Sequence, residues 1–257
     1  MNRLTVFFGL LVAGWPVLRW YGLRLHDGSD EPLGLVAIAV AVFFAPRDGW
    51  WDRLAGAKVG GLALVVGIGA LGYPWIPALV RGILFVGLVG FTIAPKSCAL
   101  AWTALLALSL PLVSTLQFYL GYPLRLPTTQ LSAWLLQLCG FDVHANSTTL
   151  LWAGERVIVD APCSGIHMAW AGLFVAATLA CGWRLSSAET LRLFRWTSVL
   201  VFVANVFRST ALFFLGAGIW RFPAFAHEGI GLLVFGVTVI LIYLAAQRRR
   251  PLLSCTA

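Results

Sequence analysis

The sequence predicts an all-α polytopic membrane protein of about eight transmembrane helices. It adds a small extracytoplasmic element, a short amphipathic helix followed by a β-hairpin. Three observations lead there. Hydrophobic residues make up 60% of the 257 and charged residues only 11%, with a mean hydropathy of +0.88, where soluble chains sit near about 45–50% and about 25%. The apolar residues gather in runs, several of them close to the roughly 20 residues that cross a bilayer core. Lysines and arginines gather in short clusters between those runs. This composition excludes a cytosolic enzyme, a disordered protein and a small disulfide-stapled secreted domain.

In order, the apolar segments are 4–22, 32–46, 59–80, 82–95, 97–120, 165–183, 193–215 and 229–246. In lipid, backbone polar groups must be satisfied within the segment, so these runs read as helices. They lack the alternation of outer-membrane barrel strands. Met1 to Trp20 begins like a signal peptide but has no A-x-A-like cleavage site and runs on to Arg19 and Arg24, so it reads as a span. The whole of 1–257 reads as one integral membrane domain.

Orientation follows from the basic residues. With the N-terminus inside, eleven of the 18 Lys and Arg fall on the cytoplasmic side. They are Arg3, Arg47, Arg53, Lys58, Lys96, Arg184, Arg192, Arg195 and Arg248 to Arg250. The expectation is a multi-pass protein of the cell inner (cytoplasmic) membrane with both termini in the cytoplasm. The net charge of +8 is thereby spent on membrane anchoring, and no nucleic-acid partner is expected.

The longest loop, 121–164, then lies outside. Leu131, Trp134, Leu135 and Leu138 follow Pro127 at helical spacing, which predicts an amphipathic helix on the membrane surface over 128–138. Phe141 to Asp160 carries short β-branched runs around Ala153-Gly154 and predicts a hairpin. The match of Gly67 to Gly72 to G-x-G-x-x-G lies mid-span, with no preceding strand, and reads as close helix packing. The sequon Asn146-Ser147-Thr148 is a three-residue match of little weight.

Chemistry concentrates after residue 120. Asp160-Ala161-Pro162-Cys163-Ser164-Gly165 stands where the loop enters the sixth span. Asp160 or Ala161 can cap and Pro162 suits a first helical position, which places Cys163 in the first turn. There free N–H groups and the helix dipole favour a thiolate and lower the cysteine pKa. Ser164 and Gly165 leave N–H donors for a bound carbonyl. The competing readings are a buried structural cysteine and a disulfide to Cys139.

Arg208, in Asn205-Val206-Phe207-Arg208-Ser209, lies inside the seventh span. An arginine there costs roughly 2.5–3.5 kcal/mol at the bilayer centre and marks a functional site by default; the bland alternative is snorkelling to the headgroups. Asn205 shares its face. His227 stands ahead of the eighth span with Glu228 beside it, and an imidazole there can take and return a proton. His167, one helical turn past Cys163, is the alternative base. However, an i,i+4 pair on one rigid helix aligns poorly for proton transfer from sulfur, so His227 is preferred. His26 and His144 read as loop residues. Cys163 and His167 lack the further ligands a metal needs, so neither metal nor cofactor is expected.

The chain here resembles the exosortase/archaeosortase family of membrane-embedded cysteine transpeptidases. The family's C-S-G matches Cys163-Ser164-Gly165, its N-x-x-R matches Asn205-Val206-Phe207-Arg208, and its histidine before the last span matches His227. Pro162 and His167 depart from the pattern of the commonest branch. The resemblance implies substrate proteins with a C-terminal motif of the Pro-Glu-Pro kind, a transmembrane helix and a basic tail. It implies Cys163 as nucleophile, Arg208 as oxyanion stabiliser and His227 as general acid/base. Asp160, Ser164, Gly165, His167, Asn205 and Glu228 would support them. Two rival functions are a transporter using Arg208 and His227 along an ion pathway and a non-catalytic assembly factor for an envelope polysaccharide. Neither gives Cys163 a necessary task.

Overall fold

The computed structural model describes residues 3–26, 32–45, 75–220, 223 and 225–250. Among them the chain is mostly helical. The order is α1 (Arg3–His26), α2 (Leu33–Phe43), α3 (Ala78–Ile93), α4 (Ala99–Leu108), α5 (Val113–Leu138), strands β1 (His144–Asn146), β2 (Thr149–Trp152) and β3 (Glu155–Ile158), a 3-10 turn (Ala161–Ser164), then α6 (Ile166–Gly182), α7 (Ser187–Gly216) and α8 (Ala226–Gln247). Most of the segment read as 59–80, and with it the Gly67 to Gly72 match, lies outside the described residues. Its end is redrawn, because Pro77 opens α3 at Ala78.

Among the described residues, α7 and α8 are long and apolar enough to cross a membrane. The run 97–120 is instead split into α4 and α5, and this pair counts as a third candidate span if taken as one. The break falls at Leu110-Pro111-Leu112, where proline removes an amide donor and disfavours helix in the residue before it.

The chain divides into two compact units. The first comprises Met1–Leu112, Ala177–Leu191 and Arg249–Ala257. Within it, Val17, Val86 and Leu110 form a buried cluster joining α1, α3 and the end of α4. The Trp102 indole donates to the Ala41 carbonyl at 2.8 Å and fastens α4 to α2. Gly34 lies directly on the Ser109 carbonyl, where no Cβ would fit.

The second unit, Val113–Ala176 and Arg192–Arg248, carries every candidate site residue. Two sequence expectations are corrected in it. No separate amphipathic helix begins at 128: α5 runs unbroken from Val113 to Leu138, through Pro123 and Pro127. An interior proline costs about 3 kcal/mol, but here Thr128, Thr129, Ser132, Ala133 and Leu136 are all buried on one side of the helix. Tertiary packing outweighs the local penalty, and the Thr128 and Thr129 hydroxyls donate to carbonyls one turn back.

The hairpin is, in turn, a three-stranded antiparallel sheet of order β1-β2-β3, with Asn146 opposite Thr149 and Trp152 opposite Glu155. Both connections are two residues long. In the second, Ala153 and Gly154 have φ of 50° and 84°, the pair of positive values a type I′ turn requires.

The sheet rests on a core of Leu136, Val143, Leu150, Val159, Leu212 and Phe213, and Cys163 belongs to that core. Phe213 also meets Trp152 and Phe214 edge-on. Phe213→Ala is therefore expected to destabilise the protein by about 3–5 kcal/mol. Thermal unfolding in detergent should show a lowered midpoint, with Val199→Ala, 55% exposed, as the unaffected comparison.

Candidate active site

Asp160 leaves the sheet in an extended conformation and its side chain makes no capping hydrogen bond. The chain then winds through Ala161-Pro162-Cys163-Ser164, with the Cys163 amide donating to the Asp160 carbonyl at 3.0 Å. Gly165 follows at φ +80° and breaks the winding before α6 begins at Ile166. Cys163 is thus not in the first turn of the sixth span, as the sequence suggested, but in a separate turn ahead of it. Gly165 is required twice: its φ disfavours a side chain, and an added Cβ would lie 2.9 Å from the Asn205 side chain.

Three successive carbonyls of this turn each accept from a different side chain. Gln117 Nε2 donates to Ala161 at 2.9 Å, Arg208 to Pro162 at 3.2 Å, and Asn205 Nδ2 to Cys163 at 2.8 Å. The Ser164 hydroxyl donates back to Gln117 Oε1 at 2.8 Å. A turn with its carbonyls engaged by α5 and α7 is held at several points, so its sulfur has little freedom of position. Gln117 was missed in the sequence, although an amide at the end of an apolar run is the signal that identifies polar residues in membranes as functional.

Cys163 is 8% exposed and lines a cavity of about 370 Å³ together with Asp160, Ser209 and His227. The remaining wall is apolar, from Leu150, Val157 to Val159, Leu212, Phe213, Leu215, Gly216, Trp220 and Pro223. His227 reaches this space from the first turn of α8. Arg208 does not line it, but its guanidinium acts electrostatically on the sulfur, and its Nε is buried with no acceptor among the described residues. Gly231 of α8 makes room for that nitrogen, since a Cβ there would approach it to 3.2 Å.

The other named residues are placed elsewhere. Ser164, Gly165 and Asn205 line a second, apolar cavity of about 180 Å³. His167 and Glu228 are exposed and line neither cavity. Cys139 is an exposed free thiol and Cys163 a buried one, so the disulfide alternative is overturned. Among the described residues no group of three His, Cys, Asp or Glu could hold a metal.

Burial raises the Cys163 thiol above its ordinary pKa. Arg208 pulls it back down, the Asp160 charge pushes it further up, and the backbone hydrogen bond to Asp160 and the Arg125 charge lower it. The sequence-based expectation of a lowered pKa is corrected, because desolvation in the core exceeds what a short turn's dipole supplies. At neutral pH the sulfur therefore carries its proton and needs a base. Alkylation of Cys163 by iodoacetamide should rise only at a pH above that of an ordinary thiol. Arg208→Met should move the profile higher and Asp160→Asn lower; mass-spectrometric labelling rates across pH measure both.

Comparison with curated proteins and with solved structures gives no match. A family model described as transmembrane exosortase covers residues 3–244, nearly the whole chain. With its turn, cavity and membrane-length helices, the protein belongs to the transmembrane exosortase family, and is a membrane-embedded sortase-like enzyme.

Proposed function

We propose that the chain is a cysteine protease/transpeptidase that cleaves a C-terminal sorting signal from membrane-anchored proteins at the outer face of the inner membrane. Its substrates would carry a short motif of the Pro-Glu-Pro kind, a transmembrane helix and a basic tail. The chain would cross the bilayer about eight times as a single integral domain, with both termini cytoplasmic. The observation that carries this reading is a held, buried thiol sharing one cavity with a histidine, while an arginine with a free buried N–H grips the adjoining carbonyl.

In the proposed sequence, His227 takes the proton from Cys163 Sγ as the sulfur attacks the scissile carbonyl carbon. The resulting oxyanion is met by Arg208, which holds the Pro162 carbonyl next to Cys163 and whose Nε has no acceptor among the described residues. The C–N bond breaks, His227 returns its proton to the leaving amine, and a thioester remains on Cys163. A second nucleophile, an amine or hydroxyl of a surface glycan or lipid, then attacks the thioester. His227 takes that nucleophile's proton and gives it to the departing sulfur. Water in the same place would make the reaction plain proteolysis.

A reporter ending in Pro-Glu-Pro, an apolar helix and arginines, co-expressed with the full chain, tests the reading. Loss of its C-terminal tag on a blot is expected with wild type. His227→Ala should slow that loss by about 100- to 10,000-fold, the range for a general acid–base. Processing at the wild-type rate by His227→Ala would remove the histidine from the mechanism.

A further inference from the structure

β3 is an edge of the sheet, with β2 on one side only. The Val159 amide donates to the Thr148 carbonyl of the neighbouring segment at 2.8 Å. Because backbone direction alternates in an antiparallel ladder, Val157 and Val159 face β2, and the N–H and C=O groups of Arg156 and Ile158 face away. No described residue pairs with those outward groups. Arg156 is exposed and Ile158 is 66% exposed. Such an edge is a template for another strand; β3 is short and carries the charges of Glu155 and Arg156, but no proline or bulge interrupts its four residues.

The edge is not remote from the chemistry. Val157, Ile158, Val159 and Asp160 form a wall of the cavity that holds Cys163 and His227, and β3 leads directly into the Cys163 turn. At about 370 Å³, the cavity has the size of a peptide or small-ligand pocket, which runs from about 300 to 1,000 Å³.

We infer that β3 is the substrate-binding strand: the extended segment preceding the scissile bond adds to its free edge through the backbone groups of Arg156 and Ile158. The inference rests on the transpeptidase reading above and names how that site takes its substrate. Direction follows from the chain. The residues after the scissile bond enter the bilayer as a helix, so the segment along β3 is the one before it. With its last carbonyl at Cys163, that segment runs parallel to β3. Four strand residues span about 13 Å, the reach of a three- or four-residue motif. In Pro-Glu-Pro the prolines stand two apart, the period of a strand. Both missing N–H groups can therefore face away while the glutamate's N–H and C=O face Arg156 and Ile158.

Proline is tolerated at edge positions whose N–H faces outward, so Arg156→Pro and Ile158→Pro remove an outward donor and keep the ladder to β2. In the reporter assay each should slow processing about tenfold, as for loss of backbone pairing. Arg156→Ala and Ile158→Ala keep the backbone donors, so each should process the reporter faster than the proline variant at the same position. All four should alkylate Cys163 at the wild-type rate. Should a proline variant misfold, a synthetic Pro-Glu-Pro peptide with an ester in place of the glutamate amide serves instead. The wild-type chain should cleave the ester peptide about tenfold more slowly. Proline variants or ester peptides as fast as their parents overturn the strand and leave the transpeptidase reading standing. Alanine variants as slow as proline ones also overturn it, because side chains would then carry recognition. A reporter left intact by wild type overturns the transpeptidase reading, and the strand with it.

Discussion

Cys163→Ala is expected to leave the reporter entirely unprocessed, and Cys163→Ser nearly so. The sulfur supplies the bond that divides one difficult acyl transfer into two easier ones, and no other side chain in the cavity can replace it. Ser209 lines the same space, but its hydroxyl is a far weaker nucleophile than a thiol without a dedicated base. The substitution is small. Cys163 sits at the margin of the core formed by Leu136, Leu150 and Phe213, so alanine there leaves a void of one sulfur and the fold should persist. Protein level and thermal midpoint of the variant, measured beside the blot, separate lost chemistry from lost folding. Processing at the wild-type rate by a stable Cys163→Ala variant would rule out Cys163 as the nucleophile.

Arg208 carries the second large effect. Its guanidinium does two things at once: one N–H holds the Pro162 carbonyl, and the buried Nε has no acceptor among the described residues. A buried donor without a partner costs about 1–3 kcal/mol, a cost that makes sense where the missing acceptor is charge that develops during reaction. Arg208→Met should lower kcat about 100- to 1000-fold, the usual loss of one oxyanion donor in a low-dielectric site, with KM little changed. Arg208→Lys keeps the charge but not the fork that reaches both positions, and should recover only part of the rate. A rise in KM alone, with kcat intact, would move Arg208 from the reacting carbonyl to substrate capture.

Much of this was legible in the sequence, and the failures have physical causes. Hydropathy located α6, α7 and α8 within a few residues, because an apolar run has few alternatives to a helix in lipid. A helical winding at Cys163 was legible from Pro162, but its separation from α6 was not, because Gly165 was read as a backbone donor and not as a left-handed break. What was not legible depends on distant contacts. Pro123 and Pro127 signal a break, yet α5 continues because its Thr128 to Leu136 face is buried. The third strand was hidden because His144-Ala145-Asn146 has no strand-like pattern and acquires its structure only by pairing with β2. Gln117 lies 44 and 47 residues from the two groups it clamps, a separation no periodicity reports. The sign of the Cys163 shift failed likewise: the dipole of a turn can be guessed from spacing, whereas the desolvation that exceeds it comes from Leu150, Leu212 and Phe213 closing around the sulfur.

The proposed chemistry stands on a covalent bond between Cys163 and the substrate, and that bond can be weighed. Mixing the wild-type chain with the reporter and quenching in acid within the first turnovers should preserve the intermediate, because acid protonates the second nucleophile and stops the thioester from being resolved. Intact-mass and peptide mapping are expected to find the reporter's N-terminal portion joined to the peptide containing Cys163, and the join should be cleaved by hydroxylamine. Cleaved reporter with Cys163 unmodified at every time point, or an adduct on another residue, would contradict it.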